Sequence, residues 1–268
     1  MRELNPIYRL FMSNCVSLVT TSGGLMQDWF SSPYFQILYK NRDTTEAQYF
    51  INRLDDYLQF QKGSKAMDLA CGRGRHSFSL HQKGLDVTGV DFSPLSISEA
   101  KQFEKPGLRF IEADMRTYLE EESYDYIFNM FTSFGFFGDN MQNQQVIDCV
   151  YKNLKANGLF LLDYLNADFI LDNFIPQEHK IVDGISFHIN RAVKKGHIIK
   201  DIHFEDQGKS FHFQESVQLI TREMFEYFFE KAGFIQKDVF GDYSLRPYVK
   251  HLSERIIFIV QKPTAHAD

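Results

Sequence analysis

The chain is short of cysteine, of excess positive charge and of long apolar runs, and each shortage excludes a class of protein. Only three cysteines occur, Cys15, Cys71 and Cys149, an odd number without metal-ligand spacing. Neither a disulfide scaffold nor a cysteine-based metal site is written here, and a reduced, cytoplasmic setting fits. The formal net charge of −6 leaves no global basic footprint, so nucleic acid is not an expected partner. No run reaches the length that crosses a bilayer, so a membrane is not expected either. Residues 1–25 are mildly apolar and Ser/Thr-rich, with only Arg2 and Arg9 basic, which makes a poor signal peptide. They are expected to form a dispensable, poorly ordered extension, with Met26 as an alternative start. No repeat, low-complexity segment or linker points to a protein partner, and monomer and homodimer are equally compatible.

What is present reads as one α/β domain over 26–268. With 44% hydrophobic and 24% charged residues among 268, the chain can bury a full core. The most informative stretch runs from Ala66 to His76, where Asp68 stands ahead of a glycine turn, Gly72-Arg73-Gly74, at the end of an apolar strand. Glycines let the backbone pass close to a ligand, and the helix that follows, expected from about Arg75 to Lys83, offers its free amides. Dinucleotide sites use the same turn for pyrophosphate. A carboxylate at Asp68 would repel pyrophosphate but attract the ammonium group of S-adenosylmethionine, and Ser77 stands where the dinucleotide pattern has its third glycine.

Two more acids follow at strand ends. Asp91 closes Leu85–Val90, placed to accept hydrogen bonds from ribose hydroxyls. Asp114 follows Phe110-Ile111-Glu112, placed to take the adenine amino proton while Met115 covers the ring. Singly, a Gly-x-Gly can be a tight turn and a strand-end Asp a helix cap. Three acids at three consecutive strand ends are harder to explain that way.

On these residues the chain resembles the class I S-adenosylmethionine-dependent methyltransferases. The acidic-x-x-x-Gly-x-Gly motif matches Asp68, Gly72 and Gly74, the ribose acid Asp91 and the adenine acid Asp114. Tyr124–Met130 looks like the fourth strand, and Leu154–Asp163 like the helix end, glycine turn and fifth strand. Asn157 stands where proline is common in that turn. The resemblance, spanning roughly Asp28 to Lys262, implies a doubly wound, seven-stranded, mostly parallel sheet with an antiparallel β insert after the fifth strand. It implies Ala70 and Phe92 as further cofactor contacts, with Tyr39 and Arg42 of an N-terminal lid (26–60) reaching over the methionyl group.

Behind the lid, Phe50, Leu54, Tyr57 and Leu58 repeat at helical spacing and read as core. The aromatic-rich loop after the fourth strand places Asn129 and Phe131 beside the sulfonium, whereas Phe134, Phe136 and Phe137 either wall the substrate or pack beneath the lid. Tyr164 and Asn166 are candidate substrate contacts at the end of the fifth strand. Tyr243 is another, with packing against the lid as its alternative. Alternating residues at 185–191, 198–204 and 209–219 predict three antiparallel strands within an insert of about 178–220. It resembles the insert of small-molecule N-methyltransferases, including those acting on amino sugars.

Histidines 188, 203 and 212 fall in that insert, but no Cys or close carboxylate completes a metal site, and no metal is expected. His76, His203 and His212 are candidate general bases, and the sequence does not choose among them. An amine needs little acid–base help, so nitrogen of a small molecule is the favoured methyl acceptor. Carboxyl or hydroxyl oxygen, a non-catalytic cofactor-binding module and a dinucleotide oxidoreductase are the alternatives.

Overall fold

The computed structural model describes residues 29–30, 32–40, 44–137 and 139–264. The expected extension 1–25, the start at Met26 and the lid residue Arg42 lie outside them. Two of the described helices precede the sheet. In α1 (Pro33–Leu38), proline opens the helix and the Ser32 hydroxyl accepts the Tyr34 amide at 3.1 Å. In α2 (Thr44–Leu58), Ala47, Phe50, Ile51 and Leu54 form the buried stripe. Tyr57 does not join it. At the helix's last turn its neighbours are Phe240, 5.2 Å away, and Asp238, whose carboxylate accepts its hydroxyl at 2.5 Å, so the ring lies exposed.

Strands and helices then alternate as β1 (Lys65–Leu69), α3 (Arg75–Gln82), β2 (Asp86–Asp91), α4 (Pro94–Ala100), β3 (Leu108–Glu112), β4 (Tyr124–Asn129), α5 (Asn140–Asn153) and β5 (Leu154–Leu165). After α6 (Ala167–Asp172) come four insert strands, β6 (Gln177–Val182), β7 (Ile185–Lys194), β8 (His197–Asp206) and β9 (Lys209–Gln218). The chain closes with α7 (Arg222–Ala232), β10 (Ile235–Phe240) and β11 (Arg255–Gln261). Thr221 caps α7 at one end, and Gly233, at φ 93°, stops it at the other.

The main sheet runs β10-β11-β5-β4-β1-β2-β3, parallel except for β11, which is antiparallel to both neighbours. Apolar side chains cover both faces. On one, Val146, Ile147 and Val150 of α5 pack with Phe225, Phe228 and Phe229 of α7; on the other, Phe50 and Leu54 of α2 pack with Leu80 of α3 and Ile97 of α4. The strand order reverses between β1 and β4, the place where open α/β sheets form a crevice at the carboxyl ends of their strands. Among the described residues, no helix is long and apolar enough to cross a membrane.

The insert is a separate sheet in the order β6-β7-β8-β9, one strand more than the alternation predicts. β6, Gln-Glu-His-Lys-Ile-Val, is mostly exposed and carries no apolar alternation. The inner face of the insert, through Phe187, Ile189, Ile202 and Phe204, packs on Trp29 and Leu38 of the N-terminal segment. On the outer face, His179, His188, His203 and His212 pair in one register row, all exposed.

Candidate active site

The glycine turn is built by β1 ending in left-handed backbone. Ala70, Gly72 and Gly74 have φ of 61°, 54° and 85°. The two glycines serve different ends. A side chain at Gly72 would meet no atom within 4 Å, so open space lies over the turn, whereas one at Gly74 would strike the Phe110 ring at 2.6 Å. Asp68, buried at the end of β1, accepts the Ser77 hydroxyl at 2.6 Å. Burial pushes its pKa up to about 6 against the opposing pull of Ser77 and Arg75. Asp91 accepts the amides of Gly72 at 2.9 Å and Ser93 at 2.8 Å. Burial still raises its pKa, in spite of those donors. The acid read as the ribose ligand therefore also holds the turn. Phe92 beside it is 51% exposed, an aromatic face open to a ligand.

Asp114 stands at its expected place after β3 but is engaged by Arg116, whose Nε lies 3.0 Å from both carboxylate oxygens; this contact holds the carboxyl below its ordinary range. Met115 beside it packs against the core. From β4, Asn129 donates to the Leu69 carbonyl at 2.9 Å and so ties the two central strands. Its Oδ1 and the Thr132 hydroxyl are buried without a hydrogen-bond partner. Buried orphan acceptors are costly. With the open space over Gly72 and the carboxylate of Asp68, they fit a ligand carrying an ammonium group and a nucleoside.

Several sequence candidates are placed otherwise. Phe134 is fully buried and packs on Phe225, 5.6 Å away, so it is core and not substrate wall. Tyr164 is fully buried, its hydroxyl spent on the Gln218 carbonyl at 2.6 Å. Asn166 caps α6 and donates to the carbonyls of Lys250 and Ser253. As placed, these three residues fasten the insert and the last loop and present no face to an acceptor. His203 and His212 stack 4.1 Å apart on the outer face of the insert, on the opposite side from the lid. His76 is buried in α3, and burial holds its pKa well below the ordinary value. His203 and His212 thus face away from the N-terminal segment, and a buried imidazole that resists protonation, as at His76, is a weak base. Among the described residues no group of three or more His, Cys, Asp or Glu is arranged to hold a metal ion.

Tyr39 follows α1, and its hydroxyl donates to Glu215 at 2.8 Å and accepts from Lys200 at 3.0 Å. Burial, with Glu215 beside it, pushes the phenol up to about 12. Burial works against the Lys200 charge, yet Glu215 and Tyr39 outweigh it and raise its pKa. Lys200→Met leaves Glu215 buried without its counter-charge, and the expected loss in chemical denaturation is about 3 kcal/mol. Lys200→Met combined with Glu215→Leu should recover most of that loss. An equal loss in the single and double variants would contradict the pairing.

Two residues that sequence reasoning missed complete the edge. Asp163 of β5 and Arg255 of β11 form an ion pair at 2.7 Å, with Asp163 fully buried, and Tyr243 donates to the same carboxylate at 3.0 Å. The available signal was an acid near the end of an apolar strand and an arginine opening another.

A sheet reversing at β1 and β4, with an acid-led glycine turn there and a second acid closing β2, defines the class I S-adenosylmethionine-dependent methyltransferase fold. A family model described as a methyltransferase domain matches residues 60–233, more than half of the chain, and the chain belongs to that family. A glycine/sarcosine N-methyltransferase of Aphanothece halophytica is 28% identical over 145 residues; the match covers 52% of this chain and 52% of that protein, so about half of each length is shared. Among solved structures, an S-adenosylmethionine-dependent methyltransferase from Clostridium acetobutylicum has the same fold with a TM-score of 0.73 at 21% identity, covering 86% of this chain and 96% of that one. An amino pentose methyltransferase from Micromonospora echinaspora, solved with S-adenosylmethionine bound, gives 0.68 at 18% identity, covering 86% and 97%.

Proposed function

We propose that this protein methylates the nitrogen of a small-molecule amine. The reading is carried by the state of the acids and histidines around the sheet edge. His203 and His212 lie on the outer face of the insert, burial disfavours protonation of His76, Asp163 is committed to Arg255 and Glu215 to Lys200. An acceptor that brings its own lone pair suits such a site, because it needs no strong base. The amine acceptors in the names of the Aphanothece and Micromonospora proteins support the same choice.

Bound S-adenosylmethionine would supply a methyl group activated by the positive sulfonium. Asp68 and the Asn129 Oδ1 would receive the ammonium group, and Asp91 the ribose hydroxyls. Phe92 and Met115 would flank the adenine, with Asp114, shared with Arg116, at its amino edge. Gly72 and Ala70 would let the ligand lie against the turn, and Phe131 would stand beside the sulfonium. The lid and the inner face of the insert would exclude water and align the amine for in-line displacement; Tyr39 would hold lid to insert, and Arg42 would meet the cofactor's carboxylate. Tyr243 would act from behind, through Asp163.

The test is production of S-adenosylhomocysteine from S-adenosylmethionine with a panel containing glycine, sarcosine, an amino sugar and a set of carboxylic acids. Turnover with one or more amines and a methylated nitrogen by mass spectrometry is the expected result. Turnover confined to the carboxylic acids would overturn the nitrogen assignment, and cofactor binding without any turnover would favour a binding module.

A further inference from the structure

The loop after β4 contains two consecutive residues other than glycine in left-handed backbone, Phe131 at φ 64° and Thr132 at φ 59°. Side chains disfavour that region, and such residues persist where their surroundings over-determine them, commonly at functional sites. Here one residue supplies the constraint on both. The Phe131 amide donates to the Asp163 carboxylate at 2.7 Å, and the Thr132 amide donates to the Asp163 carbonyl at 3.1 Å. Asp163 is in turn fixed from the far side, by Arg255 Nε at 2.8 Å and the Tyr243 hydroxyl at 3.0 Å. Phe50 stacks on Tyr243 with ring centres 4.4 Å apart. On the near side, the Arg75 guanidinium lies 4.7 Å over the Phe131 ring, joining the loop to the start of α3 just after the glycine turn. The Thr132 hydroxyl and the Asn129 Oδ1, two orphan polar atoms, sit on this same segment.

We infer that Asp163 is a positioning residue whose carboxylate, backed by Arg255 and Tyr243, holds Phe131 in a strained conformation before any ligand arrives, while its backbone carbonyl holds Thr132, and so presents the polar atoms of the loop to the cofactor. Its bearing on affinity rests on the methyl-transfer reading above; the rigidity of the loop can be measured independently of it.

The experiment compares wild type with two variants that share the loss of Arg255, so that no buried charge is stranded: Asp163→Asn/Arg255→Met and Asp163→Leu/Arg255→Met. Asparagine keeps an oxygen for the Phe131 amide; leucine, of similar size, has none. Hydrogen exchange of individual amides is followed by NMR, and S-adenosylhomocysteine is titrated by calorimetry. In ligand-free wild type, Phe131 and Thr132 should exchange at least about 100-fold more slowly than free peptide, as hydrogen-bonded amides do. In the leucine variant the Phe131 amide should exchange at least about tenfold faster than in the asparagine variant, with Met67–Leu69 of β1 unchanged. Affinity for S-adenosylhomocysteine should fall at least about tenfold with leucine and less than about threefold with asparagine.

Equal exchange and equal affinity in the two variants would overturn the inference, because a counter-ion role for Arg255 predicts no difference between them. Free-peptide exchange rates in wild type would also overturn it, even if the leucine variant failed to fold. Absence of S-adenosylhomocysteine binding to wild type would count against the cofactor reading, and the exchange rates would still decide the role of Asp163.

Discussion

Asp68→Asn is expected to weaken S-adenosylmethionine binding about thirtyfold at pH 7.5, close to 2 kcal/mol, the size of a charge-assisted hydrogen bond lost in a dry site. The wild type should lose affinity as the pH falls, and the sign follows from the buried carboxyl. Its pKa is raised by burial to about 6 in the ligand-free protein, and an incoming ammonium favours the ionised form. Above pH 6 the site is ready, whereas at pH 5 a proton must be expelled, which costs about a factor of ten. The asparagine variant should show no such step. Stability moves the other way. A carboxyl with a raised pKa binds more protons folded than unfolded, so its contribution is neutral at low pH and becomes unfavourable as the pH rises from about 4 through 6. Ligand-free Asp68→Asn should therefore melt at or above the wild-type temperature at pH 7.5. Calorimetric titration between pH 5 and 7.5 checks the first part and thermal unfolding the second; an affinity unchanged by the substitution would remove Asp68 from the site.

A large loss of stability is expected at Gly74. Alanine there must adopt φ 85° and place a methyl group 2.6 Å from the Phe110 ring. The left-handed backbone costs about 1–2 kcal/mol and the clash about 1–3 kcal/mol, so a loss of about 3 kcal/mol is expected. Removing the ring tests the partition. In a Phe110→Ala background, itself destabilised by about 3–5 kcal/mol, Gly74→Ala should cost only the backbone share of about 1–2 kcal/mol. Urea denaturation of the four proteins gives the coupling directly. Strict additivity would show that Phe110 is not what keeps position 74 bare.

The contrast between these two positions explains what could be read from the residues alone. Asp68, Asp91 and Asp114 each stand at or just beyond the end of an apolar strand, and the fold turns such an end toward one edge, so local pattern places them. The same logic misplaced Tyr164 and Asn166. Both are polar and lie at a strand end, but their hydrogen bonds run to Gln218, Lys250 and Ser253, and nothing near them in the chain announces those partners. Asp163 and Arg255 are 92 positions apart and meet only because β11 runs back alongside β5. Pairings of that kind leave no periodicity. β6 was missed for a related reason, since a strand exposed along most of its length lacks the alternation by which strands are recognised. The aromatic cluster of the N-terminal segment was legible, but its attachment to Lys200 and Glu215 was not.

The reversal of β11 also sets an order of events during synthesis. The first four strands of the sheet carry the acids and the glycine turn, and all have been made by Asn129. The carboxylate that braces the loop beyond them arrives with β5, and its counter-charge only at Arg255. A nascent chain lacking β11 therefore carries Asp163 without its cation, at the place where two strained residues depend on it. The edge of the sheet is thus complete only once Arg255 has been made, after every strand that carries one of its acids.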